Sequence, residues 1–428
     1  MTQPFRIALA GLGTVGTGVV RILQTHGELL AERAGCRLEI AAVSARSRGK
    51  NRGLDISGYD WSDDPVALAR RDDIDCLVEV IGGEDGPAKA AIETALSAGM
   101  NVVTANKALL AHHGQALAER AEAHGAALRF EAAVAGGIPV VKALMEGLAG
   151  NRLTRVMGVM NGTCNYILTE MLRTGADYAQ VLEAAQQLGY AEADPAFDVG
   201  GIDAAHKLAL LAALAFGTRV DFAGVRVEGI DHLTLPDLQR AADMGYRVKL
   251  LGVARLDGTA LEQRVQPCLV PADTAIGQLD GVTNAVVLEG DFIGQVTLEG
   301  PGAGEGPTAS AILADIVDIA SGLRRPVFGR PADRLIDAAA PAATPPAQYC
   351  VRLTLEDRAG CWAEVAAVLG RHGVSIDRMQ QYAHDGPGAP VVIVTHPTAD
   401  AVLDAALDEI AGLAVSLARP VALRIEAL

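Results

Sequence analysis

A chain of 428 residues exceeds what one ordinary hydrophobic core supports, so two to three domains are expected. Half of it is hydrophobic but only 4% is aromatic, and 47 residues are glycine, a profile suited to α/β folding on Ala, Val, Leu and Ile cores. The formal net charge of -16 excludes a nucleic-acid surface, which needs clustered Lys and Arg, and no apolar run approaches the ~20 residues of a membrane helix.

The N-terminus lacks the basic, apolar and small-residue layout of a signal peptide and reads better as a first strand. Cys36, Cys76, Cys164, Cys268, Cys350 and Cys361 are scattered without metal-ligand or CxxC spacing, which suits reduced thiols in a cytoplasmic protein. The apolar run 5–10 leads into GLGTVG (11–16) and then into a helix-like stretch. Gly11, Gly13 and Gly16 match GxGxxG. The first glycine permits the tight turn, the second lets a pyrophosphate approach the backbone, and the third lets helix and strand pack closely. The helix N-terminus then offers unpaired N–H groups to phosphate, with Thr14 and Val15 as further contacts.

Apolar runs at 38–43, 76–83 and 101–107 follow, separated by Ala-rich helical stretches. Strands alternating with helices predict a parallel, doubly wound, Rossmann-type sheet over residues 1–135. An acid usually closes the second strand of an NAD site, but here Ser44 is followed by Arg46, Arg48 and Lys50. Those cations favour a 2'-phosphate, hence NADP with NAD possible. Thr104 and Lys107 stand at the carboxyl edge of a sheet strand, where ligands of such folds bind.

From about Gly136 to 301 the texture changes to long Ala/Leu helices and Gly-punctuated loops, expected to form an α+β catalytic and dimerisation domain. Within GGIDAAHK, Asp203 and Lys207 are four residues apart, which puts both on one helix face. Hydride transfer to a carbonyl needs a proton donor for the developing alkoxide, and a Lys ammonium oriented by an Asp supplies one. An isolated surface ion pair has the same spacing, but LALLAALAF follows directly and leaves little room for a solvated face. The upstream acids Glu192, Asp194 and Asp198 suit a substrate α-amino group. Residues 338–348 read as a Pro/Ala-rich linker, and 349–428 as a β-α-β-β-α-β module of ferredoxin-like pattern.

The blocks GLGTVG, VVTANK, FEAAVAGGIPV, MNGTCNYIL, GYAEADPAFDVGGIDAAHK and GPGAGEGPTASA together resemble the homoserine dehydrogenase family over roughly residues 5–329. The resemblance implies conversion of L-homoserine to L-aspartate 4-semialdehyde with NAD(P), on the route to threonine, methionine and isoleucine. It makes Lys207 the proton donor, Asp203 its acidic partner and Lys107 a second active-site lysine. It also makes Glu192, Asp198, Tyr190, Gly162 and Thr163 the substrate pocket. A monovalent cation, sodium, is implied at Glu131 with the carbonyls of Val134, Gly136 and Ile138. Gly304 and Glu305 would lie in a return segment, about 302–330, that caps the nucleotide domain.

The terminal module resembles an ACT domain on DRAGCWAEVAAVLGRHGVSI, with Gly360 at the ligand-approach turn. That implies an amino-acid effector, threonine first, or a purely structural pairing role, in a homo-oligomer that is a dimer or tetramer. Removal of everything after Ala340 is then expected to leave an active, unregulated enzyme. With no kinase segment ahead of Gly11, the resemblance is to the monofunctional branch. Two other readings remain: a dehydrogenase acting through Cys164 as thioester nucleophile, and an amino-acid sensor without chemistry.

Overall fold

In the computed structural model, which describes residues 3–191, 194–342, 344–383, 386 and 388–427, the first unit starts as the apolar pattern demands. It runs β1 (Phe5–Ala10), α1 (Thr14–Ala34), β2 (Leu38–Ser44), β3 (Asp60–Ser62), α2 (Pro65–Leu68), β4 (Cys76–Glu79), α3 (Pro87–Ser97), β5 (Asn101–Thr104), α4 (Lys107–Ala123) and β6 (Leu128–Arg129). All six strands pair in parallel in the order β3-β2-β1-β4-β5-β6. Helices cover both faces, which is why the strands are apolar without alternation. The order reverses between β1 and β4, and the crevice there opens at the carboxyl ends.

The second unit contains α5 (Val140–Lys142), β7 (Leu153–Val159), α6 (Gly162–Thr174), α7 (Tyr178–Gln187), α8 (Ala196–Val199), α9 (Ile202–Phe216), β8 (Arg226–Val227), α10 (Leu235–Asp243), β9 (Tyr246–Asp257), β10 (Ala260–Pro271), β11 (Thr283–Gly290), β12 (Gly294–Pro301) and α11 (Glu305–Ala320). Its strands β12-β11-β7-β9-β10 form an antiparallel sheet, against which the buried helix α9 packs. Helix α11 returns to α1: Ala309, Ile312, Leu313, Ile316 and Ile319 share one core with Ile7, Leu9, Val19 and Val20. Gly18 permits that contact, since a Cβ there would lie 2.9 Å from the Glu305 carbonyl oxygen.

The third unit is β13 (Gln348–Glu356), α12 (Cys361–Arg371), β14 (Ile376–Gln381), β15 (Gly388–Thr395), α13 (Asp400–Ala411) and β16 (Val421–Ile425), with sheet order β16-β13-β15-β14. It is not a bead on a tether. β16 pairs in parallel with β10 through Cys268↔Arg424 and Leu269↔Ile425, so the two sheets become one ten-stranded sheet. The Pro/Ala segment is docked too: Leu261 N–H donates to Ala339 O, and Ala347 and Thr398 exchange backbone hydrogen bonds. At the seam Glu426 is buried against Arg264 (2.6 Å), Arg155 (2.8 Å) and Arg424 (3.4 Å).

Candidate active site

The glycine loop is shaped by contact rather than by flexibility. Gly11 has φ +114°, and a Cβ there would sit 2.6 Å from Val80 O; a Cβ on Gly16 would sit 2.0 Å from Gly11 O. Gly13 caps α1 and has open space where its Cβ would be, so a phosphate can reach the backbone there. Thr14 is exposed and Val15 half-buried at the start of α1. A cleft of about 730 Å³ runs from Gly11 and Gly13 to Ser44, Arg46 and Lys50. This places two of the three expected cations, Arg46 and Lys50, beside the loop, and the donor set fits a phosphorylated dinucleotide.

Arg52, which the sequence reading did not single out, also lines the cleft. Its guanidinium donates to the carbonyls of Leu12, Ser47 and Lys50, and it lies 5.6 Å from the Trp61 ring, so it braces the loop. Arg48 lies 6.0 Å from the same ring. Asp63 in the cleft wall accepts from the Trp61 indole.

Thr104 ends β5 at the carboxyl edge of the sheet, as expected. Its side chain is fully buried and its hydroxyl donates to Glu79 at 2.6 Å, so the side chain holds β5 to β4. Gly304, at φ +118°, caps α11 where that helix meets α1, and Glu305 pairs with Arg21.

The reacting centre assembles around one carboxylate. Asp203 Oδ2 accepts from Lys207 Nζ at 2.8 Å, and its Oδ1 pairs with Lys107 Nζ at 2.9 Å. Lys207 also donates to Met160 O at 2.7 Å. Burial alone would raise the Asp203 carboxyl, but the two lysines hold it well below the usual carboxylate range. Lys107 is the first residue of α4 rather than the end of a strand, with Asn106 capping that helix. The turn carries it across the crevice to a helix of the other unit.

Asn161 is the residue sequence reasoning missed. Its amide donates to Asp203 Oδ2 (2.9 Å) and to Asp198 Oδ1 (2.8 Å), while its oxygen accepts the Cys164 N–H that opens α6. The block MNGTCNYIL was visible as a unit, but nothing local distinguished a helix cap from a clamp on two distant carboxylates. Burial and the neighbouring Asp203 raise the pKa of Asp198. Thr163 donates to Tyr190 O at 2.6 Å, and Gly162 lies where a Cβ would be 2.7 Å from Val282 O. Glu192 lies outside the described residues.

Cys164 is buried against Asp198 O, and its thiol is pushed far up by burial and by Asp198 and Asp203, which removes it as a nucleophile. His206, beside Lys207, is buried among Phe222, Phe197 and His112, with no partner for either ring nitrogen among the described residues.

The implied cation position is partly pre-empted by the protein itself. Both Glu131 carboxylate oxygens accept backbone N–H groups, from Val141 and Lys142, and Ile138 O accepts from Val140. The carbonyls of Val134 and Gly136 accept no hydrogen bond among the described residues, and Ala135 and Gly136 are consecutively left-handed (φ 57° and 53°). Burial and Asp315 push the Glu131 carboxyl up to about 7. A monovalent cation against these oxygens would relieve that, so the donor set fits one in part.

Comparison with known proteins gives the geometry a family. The family model "Homoserine dehydrogenase, NAD binding domain" matches residues 11–131, "Homoserine dehydrogenase" matches 139–317 and "ACT domain" matches 351–415. The chain is 41% identical over 419 residues to a homoserine dehydrogenase of Neisseria gonorrhoeae, covering 96% of each. It superimposes on a crystal structure of a homoserine dehydrogenase from Thiobacillus denitrificans with TM-score 0.93 and 39% identity, covering 99% of this chain and 98% of that one. A hyperthermophilic archaeal homoserine dehydrogenase in complex with NADPH matches with TM-score 0.63 and 26% identity over 74% of this chain and 97% of that one. With a nucleotide-binding sheet, two lysines on one buried carboxylate and an ACT domain at its end, this chain belongs to the homoserine dehydrogenase family of NAD(P)-dependent oxidoreductases.

Proposed function

We propose that the enzyme interconverts L-homoserine and L-aspartate 4-semialdehyde with NADP preferred over NAD, in the cytoplasm, as a step toward threonine, methionine and isoleucine. The observation that carries the reading is the bridge Lys107–Asp203–Lys207. A bound nicotinamide supplies or accepts the hydride. Lys207 Nζ gives its proton to the oxygen of the forming alcohol, or takes the hydroxyl proton in the oxidising direction. Asp203 orients both lysines, and Lys107 polarises the reacting carbonyl. Asp198, held by Asn161, and Glu192 take the substrate ammonium, with Gly162, Thr163 and Tyr190 around them.

Arg46 and Lys50 in the nucleotide cleft support the 2'-phosphate preference, and the NADPH complex of the archaeal relative agrees with it. A sodium ion at Glu131, Val134, Gly136 and Ile138 would brace the junction between the first two units. The edge strand β12, with Phe292 88% exposed at its hairpin, is the surface we assign to homo-oligomer formation as dimer or tetramer. Among the described residues no helix is long and apolar enough to cross a membrane. The ACT domain is proposed to receive threonine as feedback inhibitor; Gly360, at φ +94° with open space around it, gives such a ligand access to backbone.

The test is steady-state oxidation of L-homoserine with NADP+ and NAD+ in parallel, with and without threonine. Turnover with NADP+ in excess of NAD+, lowered by threonine, is expected. Nucleotide binding without turnover would sink the assignment of the reacting centre.

A further inference from the structure

A second cleft, of about 400 Å³, lies between the ACT domain and the catalytic sheet, and Gly360 is not among the residues that line it. That volume is at the lower end of small-molecule sites, about 300–1,000 Å³. The catalytic unit contributes Arg226 and Glu228, and α13 contributes Asp400, Leu403, Asp404 and Leu407. Their helical spacing puts the two acids and the two leucines on one wall.

The charges are unequally matched. Asp400 is engaged by Arg424 (3.0 Å) and by the Tyr349 hydroxyl, and only loosely by Arg226 (3.6 Å). The Arg226 side chain remains 61% exposed. Asp404, one turn further along, has no hydrogen bond or ion pair among the described residues; burial and the adjacent Asp400 and Asp408 carboxylates raise its pKa against the pull of Arg226. An available guanidinium and an under-compensated carboxylate across a largely polar cleft complement a zwitterion; Leu403 and Leu407 are buried in the ACT core behind it. A phosphorylated ligand would meet four carboxylates, of Glu228, Asp400, Asp404 and Asp408, while two of the three guanidinium groups, of Arg419 and Arg424, are already paired with Asp408 and Asp400.

We propose that this cleft binds a free α-amino acid, its carboxylate on Arg226 and its ammonium on Asp404, and that binding is felt at the substrate loop. The proposal rests on the regulatory reading of the ACT domain and gives it a different site. The connection is short and tightly packed. Arg226 and Val227 pair with Arg264 and Val265, and Glu228 N–H donates to Val265 O at 2.8 Å. Two residues on, Ile230 N–H donates to Val199 O at 2.9 Å, and a Cβ on Gly229 would lie 2.4 Å from that same oxygen. Gly201, whose Cβ position is 3.1 Å from Val227 Cγ1, caps the helix that carries Asp203 and Lys207. Drawing Arg226 into the cleft therefore displaces the segment between Asp198 and Asp203, where substrate is held. Binding raises the homoserine KM more than it lowers kcat.

The experiment is titration calorimetry of the full-length enzyme with L-threonine, L-isoleucine and L-methionine, alongside homoserine kinetics, on wild type, Arg226→Ala, Asp404→Asn and Gly360→Asn. Wild type is expected to bind at least one of the three at one site per chain, with a raised homoserine KM. Arg226→Ala and Asp404→Asn should each weaken binding at least tenfold, with ligand-free kinetics unchanged and Gly360→Asn still binding. Loss confined to Gly360→Asn overturns the cleft and leaves the regulatory reading standing. Cleft binding with no change in KM or kcat overturns the coupling and the regulatory reading, and no binding by wild type overturns the site itself.

Discussion

Lys207 and His206 are neighbours in sequence with opposite environments. Lys207 is satisfied by Asp203 and Met160 O, and its removal leaves the cofactor cleft untouched. Lys207→Ala is therefore expected to lower kcat by about 10²-fold or more with NADPH affinity unchanged, as loss of a general acid does; titrated NADPH fluorescence with steady-state rates checks it. His206 is held down to about 4, from an ordinary 6.5, by burial, His112 and Lys107. The unfolded chain thus binds the extra proton first. Stability from this group is full above pH 6.5 and is lost as pH falls toward 4. His206→Phe, which keeps a ring against Phe222, should flatten that limb of a Tm-against-pH curve, and an unchanged slope would place the acid sensitivity elsewhere. The Asp203/Lys207 pair on one helix face was readable from spacing. The role of Asn161 was not, because its two carboxylate partners lie 37 and 42 residues away.

Among elements, β1, α1 and the glycine loop were legible because each residue's local preference agrees with its tertiary role. The loop that follows β2 is where we propose the cofactor preference to reside, and Arg46→Asp is expected to lower the NADP-to-NAD ratio of kcat/KM by at least tenfold, measured with both nucleotides. An unaltered ratio would shift the 2'-phosphate contact to Lys50 or Arg52. Strand β10 was harder to read. Glu262, Gln263 and Arg264 lie in it consecutively, yet all three are buried, with Arg264 paired to Glu262 and to Glu426. A strand whose polar residues are neutralised by partners from another domain shows no alternation in its own sequence.

For the whole molecule, the fusion of two sheets changes what truncation should do. Glu426 is the counter-charge of Arg155, Arg264 and Arg424, whose guanidinium groups hold its carboxyl below the ordinary value against the effect of burial. Glu426→Ala is expected to destabilise by about 3–5 kcal/mol, because it strands buried charge; denaturant unfolding measures it. Removing everything after Ala340 also takes β16 from β10. The expected truncate is active but with a depressed Tm, and replacing Arg155 and Arg264 by Met should recover part of the loss. A truncate as stable as the full chain would mean that the seam contributes nothing. The sequence by itself determined the doubly wound sheet, the glycine loop, the Asp203/Lys207 pair and the terminal module, because these follow from periodicity and short-range spacing. Only the tertiary structure decided that Lys107 crosses to Asp203, that Asn161 clamps two acids, and that the ACT module continues the catalytic sheet. Those depend on long-range pairing of buried polar groups, and a buried charge leaves no mark in its local sequence that says which distant partner neutralises it.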